Sequence, residues 1–390
     1  MRKLFCFFFL ITTYSGFSQA VGNVNLNYLY NPQNEIDFRL KLVKTHDQVI
    51  VYYSLKTATV QFSAENCVFT WQRRDSFSQR DGNPITPIEN KPPIFADGKL
   101  TGVLTFPIPD KPWLLVAKIS NPDASKSWIY FKTIESNYPV NGGLMDALGP
   151  IYLPYISSKT QFVVQGSGSE KAIRASFYKN NFNPASPPFV ETESAVDRFL
   201  FHDSTFVVRS GDKATFQKQG LYLLQEDSLG TEGFAFRSTN EVYPKYSKVE
   251  DLVNPLIYVC AQEEFDELRN AKGDKFKFDK VILDITKDKE RAKNFMRSYF
   301  RRVELANLYF SSYKEGWKTD RGMIYIIFGT PDEVIKTGQN ETWNYKSSRQ
   351  SFSFVKTGSV YDPDYFVLVR ERRFTETWFN TIDMWRKSRF

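Results

Sequence analysis

Hydrophobic and polar positions follow one rhythm over the first 246 residues and another after that. Ile36-Asp37-Phe38-Arg39-Leu40-Lys41-Leu42-Val43 alternates at period two, as a strand with one face in a core and one in water must. Short runs of the same kind follow at 49–55, 67–72, 99–106, 113–119 and 128–132. Asp81-Gly82-Asn83-Pro84, Lys91-Pro92-Pro93, Asp97-Gly98 and Asn121-Pro122-Asp123 punctuate them with turn-forming residues. Such a series predicts an immunoglobulin-like β-sandwich over 21–137. A linker at 138–149, broken by Asn141-Gly142-Gly143, leads into a second β-rich block to residue 246. Its candidate strands are 161–165, 172–178, 205–209, 214–217, 221–225 and 233–237. Gly166-Ser167-Gly168 reads as a hairpin turn, since no helix start follows it.

From residue 247 the apolar spacing lengthens to three and four. Residues 261–272, 287–312 and 374–386 are predicted helices, and 324–328, 341–345, 351–355 and 365–371 are predicted strands. The expected fold is mixed: two immunoglobulin-like β-sandwich domains, 21–137 and 138–246, followed by an α+β domain over 247–390.

The N-terminus changes the picture. Arg2 and Lys3 precede an apolar run at 4–14, too short to span a bilayer, and Ser18-Gln19-Ala20 fits a small-x-small cleavage pattern. Residues 1–20 are expected to be a secretory signal, making the chain periplasmic, outer-membrane-associated or secreted. Cys6 lies inside the apolar run rather than after it, which argues against a lipid anchor. No later stretch has the apolar length of a membrane helix. Formal charge is +7, and +5 without Arg2 and Lys3. A bias so mild and dispersed points away from nucleic acid. Cys67 and Cys260 fall in different predicted domains and lack zinc spacing, so they are expected to be separate buried thiols.

Residues 316–334, GWKTDRGMIYIIFGTPDEV, carry the most specific pattern. Gly316 permits a turn that a Cβ would obstruct. Trp317 supplies a large anchor with one donor. Thr319 and Asp320 can bond nearby amides. Arg321 is expected to pair with Asp320, Asp332 or Glu304. Residues 323–328 read as a strand buried on both faces. Thr330-Pro331-Asp332-Glu333 reads as a helix start with a capping box. With Arg301-Arg302-Val303-Glu304-Leu305-Ala306-Asn307 before it and Glu341-Thr342-Trp343-Asn344-Tyr345 after it, this stretch resembles the signature of the GWxTD-domain family of exported bacterial proteins, over roughly residues 255–390. The resemblance implies export and a C-terminal module, and no assigned chemistry.

The candidate motif or binding residues are Glu304, Gly316, Trp317, Thr319, Asp320, Arg321, Asp332 and Glu333. A glycosidase-type dyad would need Asp320 and one of the other carboxylates about 5–9 Å apart across a cleft. His46 and His202, the only two histidines, lie in the β blocks, which removes histidine-based nucleophilic catalysis and zinc binding from the C-terminal domain. No phosphate-loop, dinucleotide or EF-hand fingerprint is present, and no cofactor is implied. Asp362-Pro363-Asp364 is too small a group to argue for calcium. Residues 287–302, with seven basic and two acidic side chains, read as a solvated helix face or as a docking face for an acidic partner. The expected function is a non-enzymatic adaptor docking to envelope or outer-membrane proteins. The alternatives are a carboxylate-dependent hydrolase and a carbohydrate-binding protein that stacks sugars on Trp71, Trp113 and Trp128.

Overall fold

A computed structural model describes residues 19–388, apart from 169, 180–181 and 192–199. Of the expected signal, only Gln19 and Ala20 fall among the described residues. The β-rich reading of the first two blocks holds at the level of sheets. In the first block Ile36–Lys44, Gln48–Thr57, Lys99–Pro107 and Glu89–Asn90 form one sheet in that order, with Ile94–Ala96 also on Lys99–Pro107. Asn83–Pro84, Val68–Arg74, Trp113–Ser120 and Ser127–Ile134 form another. The alternation puts Val49, Val51 and Leu104 from the first sheet and Leu115, Ala117 and Ile119 from the second into one shared core.

The second block is also two sheets. Gly149–Pro150, Gly143–Asp146, Gln161–Gln165 and Lys213–Thr215 form the smaller. Tyr155–Ser157, Phe234–Thr239, Gly220–Gln225, Ala172–Tyr178 and Ser204–Arg209 form the larger. Tyr155–Ser157 runs parallel to its neighbour, and the other pairings are antiparallel. Val164, Ala175, Leu224 and Phe236 meet in its core. Among the described residues no sheet closes on itself.

The C-terminal region carries the helices: α1 Val249–Val253, α2 Gln262–Asn270, α3 Lys275–Thr286, α4 Lys289–Phe310, α5 Asp320–Phe328 and α6 Thr375–Arg386. They cover an antiparallel sheet of Glu333–Thr337, Asn340–Tyr345, Gln350–Lys356 and Phe366–Leu368. None is long and apolar enough to cross a membrane among the described residues. Asp288 caps α4 by accepting from the Arg291 amide, 2.9 Å, and α4 buries the stripe Phe295, Tyr299, Val303, Phe310.

Two local expectations are corrected. Residues 323–328 form the body of helix α5, not a strand; burial was read rightly, since Met323, Ile324, Tyr325, Ile326 and Ile327 are all buried. A continuous apolar run gives no period, so it fits a helix surrounded by protein as well as a central strand. Both ends of α5 decide it. Thr319 accepts from the Gly322 amide as N-cap, 3.0 Å, while Arg302 Nη1 donates to the Ile326 and Ile327 carbonyls, 3.0 and 2.9 Å, and Trp385 Nε1 donates to Ile327 O, 3.0 Å. The second correction follows: no helix starts at Thr330. Gly329 turns the chain at φ +85°, and Glu333 opens a strand.

The N-terminal segment 19–31 bridges two regions: Val21 packs against Leu114, Val116 and Ile129 of the first block, while the segment's far end leaves that block. Leu26 and Tyr30 sit in the C-terminal core. Leu26 N donates to Val334 O, 2.8 Å, and Val334 N to Asn25 Oδ1, 3.0 Å. The segment thereby covers the edge strand Glu333–Thr337. Cys67 and Cys260 are separate free thiols, and His46 and His202 are exposed.

Candidate functional site

The motif begins as a 3-10 turn, Gly316–Lys318, pressed onto the α4 backbone. A Cβ on Gly316 would lie 2.1 Å from Ala306 O and 2.6 Å from Asn307 Cα, so glycine is required by the close approach. Asn307, a polar residue within the apolar stripe of α4, holds the turn. Its Oδ1 accepts from Trp317 N, 3.1 Å, and its Nδ2 donates to Pro244 O, 3.0 Å. Trp317 is 2% exposed, with Nε1 donating to Tyr246 Oη at 2.9 Å and its carbonyl accepting from Tyr258 Oη at 3.0 Å. Thr319 Oγ1 donates to Gly316 O, 2.7 Å, closing the turn onto the helix cap.

Asp320 and Arg321, adjacent in sequence, are not paired with each other. Asp320 is 3% exposed. Its Oδ2 accepts from Leu368 N, 2.8 Å, and its carboxylate takes Arg370 through Nη2–Oδ1, 2.5 Å, and Nη1–Oδ2, 3.4 Å. Arg370 Nη2 also donates to Ser186 O, 3.1 Å. This pair joins the start of α5 to the last strand and to the loop at Ser186. Both carboxylate oxygens and both terminal nitrogens of the guanidinium are committed within the fold.

Arg321 points elsewhere, to Glu341. Strand alternation puts Glu341, Trp343 and Tyr345 on the buried face, and the hairpin register sets Lys336 directly across from Glu341. Glu341 is 0% exposed. It accepts from Arg321 Nη1 and lies against Lys336 Nζ, both at 3.2 Å, and accepts from Tyr30 Oη at 2.6 Å and Trp343 Nε1 at 2.7 Å. Burial alone would push its pKa up. Lys336 and Arg321 outweigh burial and hold it below the usual carboxylate range. Its contribution to stability is therefore present above the ordinary carboxylate pKa and is lost as pH falls through the depressed value.

Beside this node lies a cavity of about 280 Å³ where all three β-containing regions meet, lined among others by Lys41, Lys132, Tyr138, Phe234, Arg321 and Asp362. Burial pushes Lys41 down to about 8, and its Nζ donates to Ile151 O at 2.7 Å. Burial, then the neighbouring Asp364, raise Asp362 to about 6, against the opposing charges of Arg321 and Lys132. Burial disfavours the Asp364 carboxylate as well, but Lys132 and Lys356 pair with it and lower its pKa strongly. Of the two acids, Asp364 is thus absorbed by lysines, and Asp362 is not. Among the described residues no group of three or more metal-ligating side chains forms.

An acid raised by folding is most stabilising when protonated. The Asp362 contribution is intact below the unfolded value of 3.8 and lost as pH rises through about 6. Asp362→Asn keeps the acceptor for Asp364 N, 2.9 Å, and removes that loss. The variant is expected to be more stable than the parent by about 1–2 kcal/mol at pH 8, after screening at this partly exposed site, and equal to it at pH 4. Thermal unfolding at the two pH values checks this.

The other sequence candidates are dispersed. Glu304 pairs with Arg301 at 2.9 Å. Asp332 Oδ2 accepts from Lys346 N, 2.6 Å, and Glu333 Oε2 from Asn344 Nδ2, 2.7 Å. None shares a partner with Asp320. Trp113 and Trp128 are buried, and Trp71 is half-buried and stacked on Phe69. Of the basic stretch, Arg302 turns inward to cap α5. Sequence reading missed Arg370, Glu341, Tyr30 and the role of Asn307. Two of these left a trace: Glu341 alternates with Trp343 and Tyr345, and Asn307 interrupts an apolar stripe.

A second cavity, about 670 Å³, borders the motif turn, with Arg237, Tyr246, Glu315, Trp317 and Lys318 in its wall. Arg237 Nη2 donates to Glu315 Oε1, 3.1 Å, and Lys318 Nζ lies 2.9 Å from Glu315 Oε2. No curated protein matches the chain. Residues 220–387 match the family model described as the GWxTD domain. The match starts with the strand Gly220–Gln225 and so takes in the last two strands of the larger middle sheet, earlier than the resemblance placed it. On that match, and with the motif residues seated as described, residues 220–387 of this chain are a GWxTD domain.

Proposed function

We propose that this chain is an exported, non-enzymatic protein of the cell envelope, built of two immunoglobulin-like sandwiches and the GWxTD domain, that docks to envelope or outer-membrane proteins. The observation that carries the reading is the bonding of the signature itself. Asp320 is held by Arg370 and Leu368 N, and Arg321 by Glu341. These side chains lock the domain and leave no carboxylate pair facing a cleft from the motif. A hydrolase working through Asp320 would need that carboxylate at a solvent-filled face.

The docking surface in this reading is the edge strand Ser204–Arg209. Among the described residues it pairs on one side only, and Phe206 and Val207 stand exposed on it, next to Phe201. An unpaired apolar edge accepts an extended segment by strand addition. Affinity purification from detergent-solubilised envelope tests it. The parent chain is expected to retain an envelope protein that Val207→Lys loses. Recovery of the parent as a lone monomer would contradict the reading.

A further inference from the structure

Two small-x-small triplets end the N-terminal apolar run, Gly16-Phe17-Ser18 and Ser18-Gln19-Ala20. Either satisfies a signal peptidase. The fold distinguishes them, because it uses the residues that cleavage after Ala20 would remove. Arg74 is buried to 0% exposure, and its Nη1 donates to Gln19 O at 2.7 Å as well as to Gln79 O at 3.0 Å. Ala20 O accepts from Asn23 N, 3.0 Å, in the 3-10 turn Val21–Asn23. Val21 is fully buried, packed with Leu114, Val116 and Ile129. Cleavage after Ala20 would create an α-ammonium on Val21 inside that cluster and would take one acceptor from a buried guanidinium, both costly. Cleavage after Ser18 puts the new amine on Gln19, which is exposed.

We propose that the mature chain begins at Gln19, not Val21, and that Gln19 is closed to a pyroglutamyl residue. This rests on the export reading above. The free α-amine of Gln19 attacks Cδ of its own side chain. The N–Cδ bond forms, the Cδ–Nε2 bond breaks, and Nε2 leaves as ammonia. No oxidant, reductant or second substrate is needed. The ring gives up the Nε2 bond to Asn23 O, 3.0 Å, and keeps the Gln19 carbonyl that Arg74 uses. It also removes the terminal positive charge beside Arg74, where a like charge is unfavourable.

The full chain with its leader is expressed in a Gram-negative host, recovered from the envelope fraction, and its N-terminal peptide identified by mass spectrometry. The expected peptide begins at residue 19 and has lost one ammonia. In Gln19→Ala the same bond is expected to be cut, leaving a free amine on the new residue. A free amine on Val21 would overturn the inference while leaving export intact. An uncleaved Met1 would overturn export itself. A free amine on Gln19 in the parent would overturn the cyclisation. As a second readout, a chain made to start at Val21 is expected to melt at a lower temperature than one starting at Gln19, and equal melting would count against the proposal.

Discussion

Gly322→Ala is expected to destabilise the C-terminal domain by about 3 kcal/mol or more. Helix propensity alone predicts the opposite sign, since alanine in a helix is favoured over glycine by about 1 kcal/mol. Contact geometry overrides it. A Cβ at Gly322 would lie 1.8 Å from Gly316 O and 2.8 Å from Gly316 C. Both are backbone atoms, so no side-chain rotation relieves the clash. Gly316 cannot retreat, because its own Cα already faces the Ala306 carbonyl and the Asn307 Cα. Relief requires lifting the turn off α4, which unseats Trp317 from Asn307 and Tyr246. Urea unfolding followed by tryptophan fluorescence checks the prediction. A midpoint equal to that of the parent would show that the turn is loosely seated.

Asp320→Asn is expected to cost about 3–5 kcal/mol, the usual penalty for leaving one member of a buried ion pair without its counter-charge. Arg370, with a side chain 5% exposed, would keep its charge and lose its counter-ion. The amide can still accept from Leu368 N, so the loss reports the charge pair more than the backbone bond. Arg370→Met should cost a similar amount by stranding the carboxylate. These magnitudes separate a locking role from a catalytic one. Removing a charge from a working active site commonly leaves stability unchanged or raises it.

Sequence alone made the sheet-rich blocks and the long helix α4 legible, because period two and period 3.6 are read directly from Ile36–Lys44 and from Phe295, Tyr299, Val303 and Phe310. It failed where burial erases periodicity. The run Met323-Ile324-Tyr325-Ile326-Ile327-Phe328 has no polar face in either geometry, so only its caps, Thr319 at one end and Arg302 and Trp385 at the other, reveal a helix. Helix α3 was overlooked although Phe278, Val281, Ile282 and Ile285 keep helical spacing and Asp274 caps it. The pairing of Asp320 was invisible for a different reason. Its partner lies fifty positions away, and the adjacent Arg321 offered a nearer candidate. Backbone direction at the first turn of a helix sends successive side chains about 100° apart, so neighbours there serve different partners. Tyr30 was beyond reach as well: nothing local says that a segment before the first β-rich block enters the last core.

The central claim is that the GWxTD signature is a lock, with Asp320 committed to Arg370. A double-mutant cycle measures it most directly: parent, Asp320→Asn, Arg370→Met and the double variant, compared by chemical denaturation. The predicted result is a coupling energy of about 2 kcal/mol or more, with the double variant less destabilised than the sum of the singles. Additive effects, with Asp320→Asn as stable as the parent, would contradict the account and return Asp320 to the list of candidate active-site carboxylates.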